Sequence, residues 1–173
     1  MPAATSAAQP PVAEFLIPTR DGDFVARYTD GGLASLSFPT ARPVRSAATT
    51  TATPQILRWH RETTAALERA LAGREPGKLP PLDDSLGTAF QRRVWSAMRK
   101  IKPGQTRSYG EIACDIGQPK AVRAVGGACG ANPIPVFVPC HRVSAAHGKI
   151  GGFSCGLEWK RTLLAREGVT FDV

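Results

Sequence analysis

Asn132-Pro133-Ile134-Pro135-Val136-Phe137-Val138-Pro139-Cys140-His141-Arg142-Val143 is the most informative stretch of this chain. A cysteine flanked by histidine and arginine sits where a thiolate is favoured. Residues 132–135 read as extended, and Val136-Phe137-Val138 as a short buried strand ending just before the thiol. Neighbouring residues on a regular strand face opposite sides. Cys140 and His141 can therefore cooperate only through a turn or an intervening water. A buried structural cysteine beside a surface histidine uses the same residue types, and composition alone favours that plainer account.

Working outward, the flanks of this stretch read mostly as helices. Phe90, Val94, Met98 and Ile101 recur at helical spacing, with Pro103-Gly104 as the stop. Ser108-Tyr109-Gly110-Glu111 fits a capping box ahead of Ile112, Ala113 and Ile116, and Gly117 ends that helix. Pro119 can open the next, with Ala121, Val125 and Ala128 on one face and Gly130 at its end. Two short helices with a tight turn make a helix-turn-helix. Residues 144–152 form a Gly/Ala loop, and Leu157 to Arg166 a final helix. Before residue 86, residues 1–13 read as a disordered tail. Residues 14–38 read as short strands, with Asp30-Gly31-Gly32 as a turn. Residues 39–53 form a loop, and Thr53-Pro54 caps and opens a helix bearing Ile56, Trp59, Thr63 and Leu67. Residues 73–85 form a Gly/Pro/Asp linker. The expected fold is α+β, with a small domain over 14–82 and a mainly helical one over 83–173.

The charge supports that division. The 173 residues carry a net charge of +8, and residues 86–173 hold all of it, with 13 basic and 5 acidic side chains. A neutral half joined to a basic half points to a polyanion partner or to simple solubility. All four cysteines (Cys114, Cys129, Cys140, Cys155) lie in the basic half, with no Cys-x-x-Cys pair and no zinc-finger histidine spacing. No metal and no cofactor are expected. No apolar run reaches the ~18 residues of a membrane-spanning helix, and the first residues do not resemble a secretory signal. The expected setting is the cytoplasm (the nucleus in a eukaryote), away from membranes.

The stretch from Asn132 to Val143 closely resembles the active-site signature of the O6-alkylguanine-DNA alkyltransferases, the methylated-DNA–protein-cysteine S-methyltransferases. Ser108 to Ala113, Arg123 to Ala128, Phe90 to Trp95 and Leu163 to Gly168 match further motifs of that family in order and spacing. The resemblance spans residues 86–168. Residues 14–82 match only the outline of the family's N-terminal domain, which is ribonuclease-H-like.

The resemblance implies a single-turnover DNA repair reaction. An alkyl group on guanine O6, and on thymine O4, moves irreversibly to the protein. Cys140 would be the nucleophile, and the thioether product would never be cleaved. His141 would take the thiol proton through a water, Glu167 would orient His141, and Asn132 would brace the network. Tyr109 would hydrogen-bond guanine N3 and help the base leave. Val143 and Ser154 would read the flipped base. Arg123 would fill the hole left by the flipped nucleotide. Taken alone, Glu167 could equally be a solvated charge, Tyr109 a half-buried aromatic, and Arg123 an ordinary surface cation.

The helix around Arg123 carries small residues at Ala121, Ala124, Gly126, Gly127 and Ala128. Such a helix can enter a minor groove closely with little sequence preference, or pack tightly against another helix. The implied partner is double-stranded DNA carrying O6-alkylguanine, bound by a monomer. Pro133, Pro135, Phe153 and Cys155 are expected to shape the pocket. Cys155 stands where the family usually has Gly, and Cys129 where it often has a larger apolar residue or another small one. The alternatives are a non-catalytic alkylated-DNA-binding protein that signals to other repair factors, and a helix-turn-helix regulator with a structural cysteine. The presence of Cys140 argues against the first. The small-residue helix argues against the second.

Overall fold

The computed structural model describes residues 13–40 and 52–171. Residues 1–12 of the expected tail (1–13) and most of the loop over 39–53 lie outside the described residues. Three antiparallel strands open the chain: β1 (Ala13–Thr19), β2 (Gly22–Thr29) and β3 (Gly32–Ser37). Ala13 is fully buried and pairs with Tyr28, so the expected tail ends one residue too late. Two-residue connections join the strands, at Arg20-Asp21 and Asp30-Gly31. Gly32, at φ 134°, lies so close to Pro81 O that any Cβ would stand 2.0 Å from it. Phe24, Ala26 and Tyr28 are buried, but so are Val25 and Thr29 from the opposite set, in which Arg27 stays partly exposed. Helix α1 (Pro54–Leu71) covers the sheet with Ile56, Thr63, Ala66, Leu67, Ala70 and Leu71. Thr53 caps it by accepting from Ile56 N at 3.2 Å, and Pro54 occupies the first turn.

The C-terminal half is helical. Helix α2 (Ala89–Met98) starts at a capping box of Thr88 and Gln91 that the sequence reading did not identify. It ends at Met98, ahead of the expected stop at Pro103-Gly104. Ile101 is still buried, but from the loop that follows. The capping box of Ser108 and Glu111 opens helix α3 (Tyr109–Asp115) as expected. A turn through Gly117, at φ 73°, leads to helix α4 (Val122–Gly130). That helix begins at Val122 and not at Pro119, because residues 118–121 form a separate turn closed by Ala121 N donating to Gln118 O. Trp95 Nε1 donates to Ala128 O at 2.8 Å and fixes α2 against α4. Helix α5 (Leu157–Arg166) closes the chain, as expected.

Residues 136–138 are buried but form no strand. Asn132 Nδ2 donates to Val138 O at 2.7 Å, and Asn132 Oδ1 accepts from Ile134 N at 3.0 Å. Together with Val138 N donating to Ile134 O, these bonds curl the segment into a turn, with Val136 at φ 76°. β propensity in Val-Phe-Val thus yields to a local side-chain clamp. The turn delivers Cys140 onto a short 3-10 helix (Cys140–Arg142). Strand β5 (Val143–Ser144) follows and pairs in parallel with β4 (Arg107–Ser108). Tyr109 follows β4 directly and Cys140 shortly precedes β5, so this pairing brings the phenol and the thiol together.

The architecture is mixed α/β, with five α-helices and two small sheets among the described residues. Buried side chains from both halves form one continuous hydrophobic cluster. Several contacts among the described residues cross between the halves. Arg166 makes a bidentate pair with Asp21 at 2.7 and 2.8 Å. Leu36 N donates to Pro133 O at 3.0 Å. Phe24 and Phe38 pack on Trp159 and Phe153. No described helix is long and apolar enough to cross a membrane.

Candidate active site

Cys140 is buried, at 6% exposure, on the wall of a cavity of about 260 Å³. Tyr109, Gly126, Cys129, Gly130, Gly152, Phe153 and Ser154 complete the lining. This size lies near the low end for small-molecule pockets, ~300–1,000 Å³, and suits one planar base better than a large ligand. Of the four residues expected to shape the pocket, only Phe153 lines it. The Asn132 clamp directs the Pro133 backbone toward β3, and Cys155 is half-buried outside the lining.

His141 lies behind Cys140 and is 1% exposed. Its Nε2 donates to Glu167 Oε1 at 2.8 Å. A carboxylate only accepts, so the neutral ring carries its proton on Nε2 and keeps the Nδ1 lone pair. Nδ1 is itself buried and bonds no group among the described residues. Burial lowers the His141 pKa, and the bond to Glu167 only partly offsets this. His141 is therefore a neutral base with its accepting nitrogen free.

Glu167 is no solvated helix-end charge. Its side chain is 3% exposed. Arg142 Nε donates to both of its oxygens, at 3.0 and 3.2 Å, and Arg142 Nη2 donates to Oε1 at 2.9 Å. Burial pushes the carboxyl up, but the hydrogen bonds and charges of His141 and Arg142 outweigh it and hold the pKa at about 2. Arg142 Nη1 also donates to Ile101 O at 2.6 Å. The sequence reading gave Arg142 only a share in favouring a thiolate. Its actual role is to neutralise Glu167, and its place directly after His141 was the available signal.

The thiol itself departs from expectation. Burial pushes Cys140 up to about 11, against the hydrogen bond from Asn132 and the charge of Lys160. Arg142 points away toward Glu167, so it offers the sulfur little help. The resting group is a protonated thiol. Lys160, absent from the sequence reading, is fully buried. Its ammonium donates to Val143 O at 2.6 Å and Gly152 O at 3.0 Å, tying the loop that carries Phe153 to β5. Burial lowers its pKa to about 8, although the neighbouring Cys140 and Cys129 act in the opposite sense. Only its position inside α5 hinted at this: a lysine on the face that also carries Leu163 and Leu164.

Tyr109 is half-buried with its hydroxyl against Gly151, where a Cβ would stand 3.2 Å away. Burial raises its pKa. Cys129 donates to Met98 Sδ at 3.5 Å, and burial raises it to about 12. Arg123 and Ala124 are exposed on α4, and Arg123 makes no hydrogen bond or ion pair among the described residues. Gly126, Gly127 and Gly130 have nothing within 4 Å of a built Cβ. The small residues on this side of α4 therefore serve no helix packing, in contrast to Val125, Ala128 and Cys129 on the buried side. Ala121 is half-buried at the start of α4, Val143 is buried with its carbonyl on Lys160, and Ser154 is exposed at the cavity rim.

A family model for the DNA-binding domain of 6-O-methylguanine DNA methyltransferase matches residues 89–169. A methylated-DNA–protein-cysteine methyltransferase of Methanosarcina acetivorans is 50% identical over 111 residues, covering 62% of this chain and 69% of that protein. The chain belongs to this methyltransferase family. The methyltransferase of Mycolicibacterium paratuberculosis is 56% identical over 94 residues, which cover 53% of this chain and 57% of that protein. The sequence matches thus span between about half and two thirds of the relatives' length. The likeness of fold extends further. Mycobacterium tuberculosis OGT, solved in complex with DNA, superposes with a TM-score of 0.71 and 38% identity over 90% of this chain and 92% of that one. In this chain, the matched segment contains the nucleophile candidate Cys140, the His141–Glu167–Arg142 network and the bare side of α4.

Proposed function

We propose that this protein transfers an alkyl group from guanine O6 in duplex DNA to Cys140 Sγ, once per molecule. The observation that carries this reading is a buried thiol on a base-sized cavity, next to a histidine whose free nitrogen is a neutral base. A water between Cys140 and His141 Nδ1 relays the thiol proton to the imidazole. The sulfur pair attacks the alkyl carbon in line, and the carbon–O6 bond breaks with its electrons going to the base. The Tyr109 phenol hands its proton to guanine N3 as that bond breaks, so the base leaves neutral, and the phenolate regains a proton through water from the His141 imidazolium, so that the thiol proton ends on the base. The imidazolium is stabilised by Glu167, whose own charge Arg142 shares. Asn132 holds the turn that presents Cys140, and the Val143 backbone and Ser154 read the base. The same attack serves an alkyl group on thymine O4. The thioether has no displaceable partner in the site, so each molecule reacts once.

DNA binding falls to the α3–turn–α4 pair, acting as a helix-turn-helix. The open side of α4 (Ala121, Ala124, Gly126) enters the minor groove with little sequence preference, and Arg123 replaces the flipped nucleotide. The sheet with α1 over 14–82 forms a ribonuclease-H-like domain, and 83–173 forms the reacting one. The protein acts as a monomer. Intact-protein and peptide mass spectrometry after incubation with a duplex carrying one O6-methylguanine tests the reading. One methyl on Cys140, saturating at one per molecule, is the expected result. A bound lesion with no adduct would overturn it in favour of non-catalytic lesion binding.

A further inference from the structure

Among the described residues, Phe153 is the one large apolar side chain on the cavity wall apart from the Tyr109 ring. It lies in an irregular loop, after Gly151 at φ 77° and before Gly156 at φ 101°. Its backbone is tied by Gly156 N donating to Phe153 O at 3.1 Å, and by the bond from Lys160 to Gly152 O. Its ring is backed from the other half of the chain. Phe38, just past the end of β3 and 8% exposed, meets Phe153 edge-on at 6.0 Å and 89°. Phe38 also packs on Trp159 at 4.9 Å, and the Phe24 ring lies 5.1 Å from it. Phe38 does not line the cavity. The same strand holds the turn leading to Cys140, through Leu36 N and Pro133 O. The reacting sulfur and the wall are thus both positioned from β3.

We infer that Phe38 sets the size of the O6 substituent this protein accepts, by holding the Phe153 ring in place. The inference rests on the alkyl-transfer reading and deepens it. Edge-to-face aromatic clusters pack at interior density, so Phe153 cannot move back while Phe38 fills the space behind it. A methyl group needs no such retreat, whereas an arylmethyl group does. Phe38 is a positioning residue, because it reaches the substrate only through Phe153. Shortening it to Leu opens room behind the wall without exposing a polar group.

The test compares single-turnover rates on two duplexes, one carrying O6-methylguanine and one carrying O6-benzylguanine. For Phe38→Leu the benzyl-to-methyl rate ratio rises by about tenfold over the unsubstituted protein, the scale on which one hydrophobic contact discriminates. A ratio that stays the same or falls overturns the inference, including the case in which both rates drop by a common factor from general loosening. If Phe38→Leu fails to fold, Phe38→Met, of nearly the same volume as Leu but with a more adaptable side chain, carries the same two outcomes. Methyl transfer by the unsubstituted protein separates the two levels. Its absence sinks the alkyl-transfer reading, whereas its presence with an unchanged ratio sinks only the role of Phe38.

Discussion

At neutral pH the Cys140 thiol and the His141 imidazole are both uncharged, since burial raises the one and lowers the other. On the proposed reading, the sulfur becomes a good nucleophile only when His141 accepts its proton. The rate of transfer therefore requires neutral His141. Because its pKa is lowered, the rate should hold as pH falls through the ordinary histidine value of ~6.5 and decline only below it. Replacing His141 with Ala should slow transfer by about 10²- to 10⁴-fold, as measured by single-turnover rates across pH. Glu167 makes a separate stability prediction. Its pKa of about 2 lies below the unfolded value of ~4.3. The stabilisation is therefore complete above the unfolded value and is lost as pH falls toward about 2. Denaturant midpoints between those pH values should fall steeply for the unsubstituted protein and less for Glu167→Gln. Parallel curves would contradict this account.

At the scale of elements, α4 separates folding from binding. A Cβ at Gly127 meets nothing, so Gly127→Leu should leave the melting temperature unchanged or slightly raised, since glycine costs a helix about 0.5–1 kcal/mol relative to Ala. It should still weaken duplex binding, because the added side chain stands on the face proposed to dock. Fluorescence anisotropy and thermal melts on one variant read both effects. Arg123→Ala should slow repair in duplex DNA more than reaction with a free O6-alkylated base, and equal losses would remove its role in flipping. Helix α5 supplies a structural counterpart. Lys160→Met should leave the buried Val143 O without its donor, at about 1–3 kcal/mol, and release the exposed Gly152 O, with the loss read from denaturant midpoints. The elements that were legible in the sequence have local causes. Ser108 and Glu111 are three residues apart, and Thr53-Pro54 caps and opens α1 within one turn. Val136-Phe137-Val138 was misread because its strand propensity is overridden by the Asn132 side chain, a bond that composition does not reveal.

For the whole molecule, the charge of the C-terminal half predicts binding that weakens with salt. Affinity for duplex DNA should fall about tenfold for every two phosphates neutralised, between about 50 and about 200 mM salt. A flat response would count against this surface. The motif-bearing residues of the site were largely legible because Cys140, His141, Tyr109 and Asn132 lie in contiguous signatures. Their supports were not. Arg142 finds Glu167 25 residues on, and Asp21 meets Arg166 145 residues away. Phe38 and Phe153 belong to different halves and share no pattern. Long-range pairing of this kind leaves no periodicity to read.

The seam between the halves also limits how such a chain can be rebuilt from parts. Grafting the first 82 residues of a relative onto this C-terminal half would bring in a foreign hairpin, strand edge and aromatic ring. Each would have to match Arg166, Pro133 and Phe153 at once. A chimera that mismatches only the ring should still fold and still recognise damage, but with the substrate range of neither parent. Recombination between relatives would then alter which lesions are repaired without touching any residue that meets the DNA.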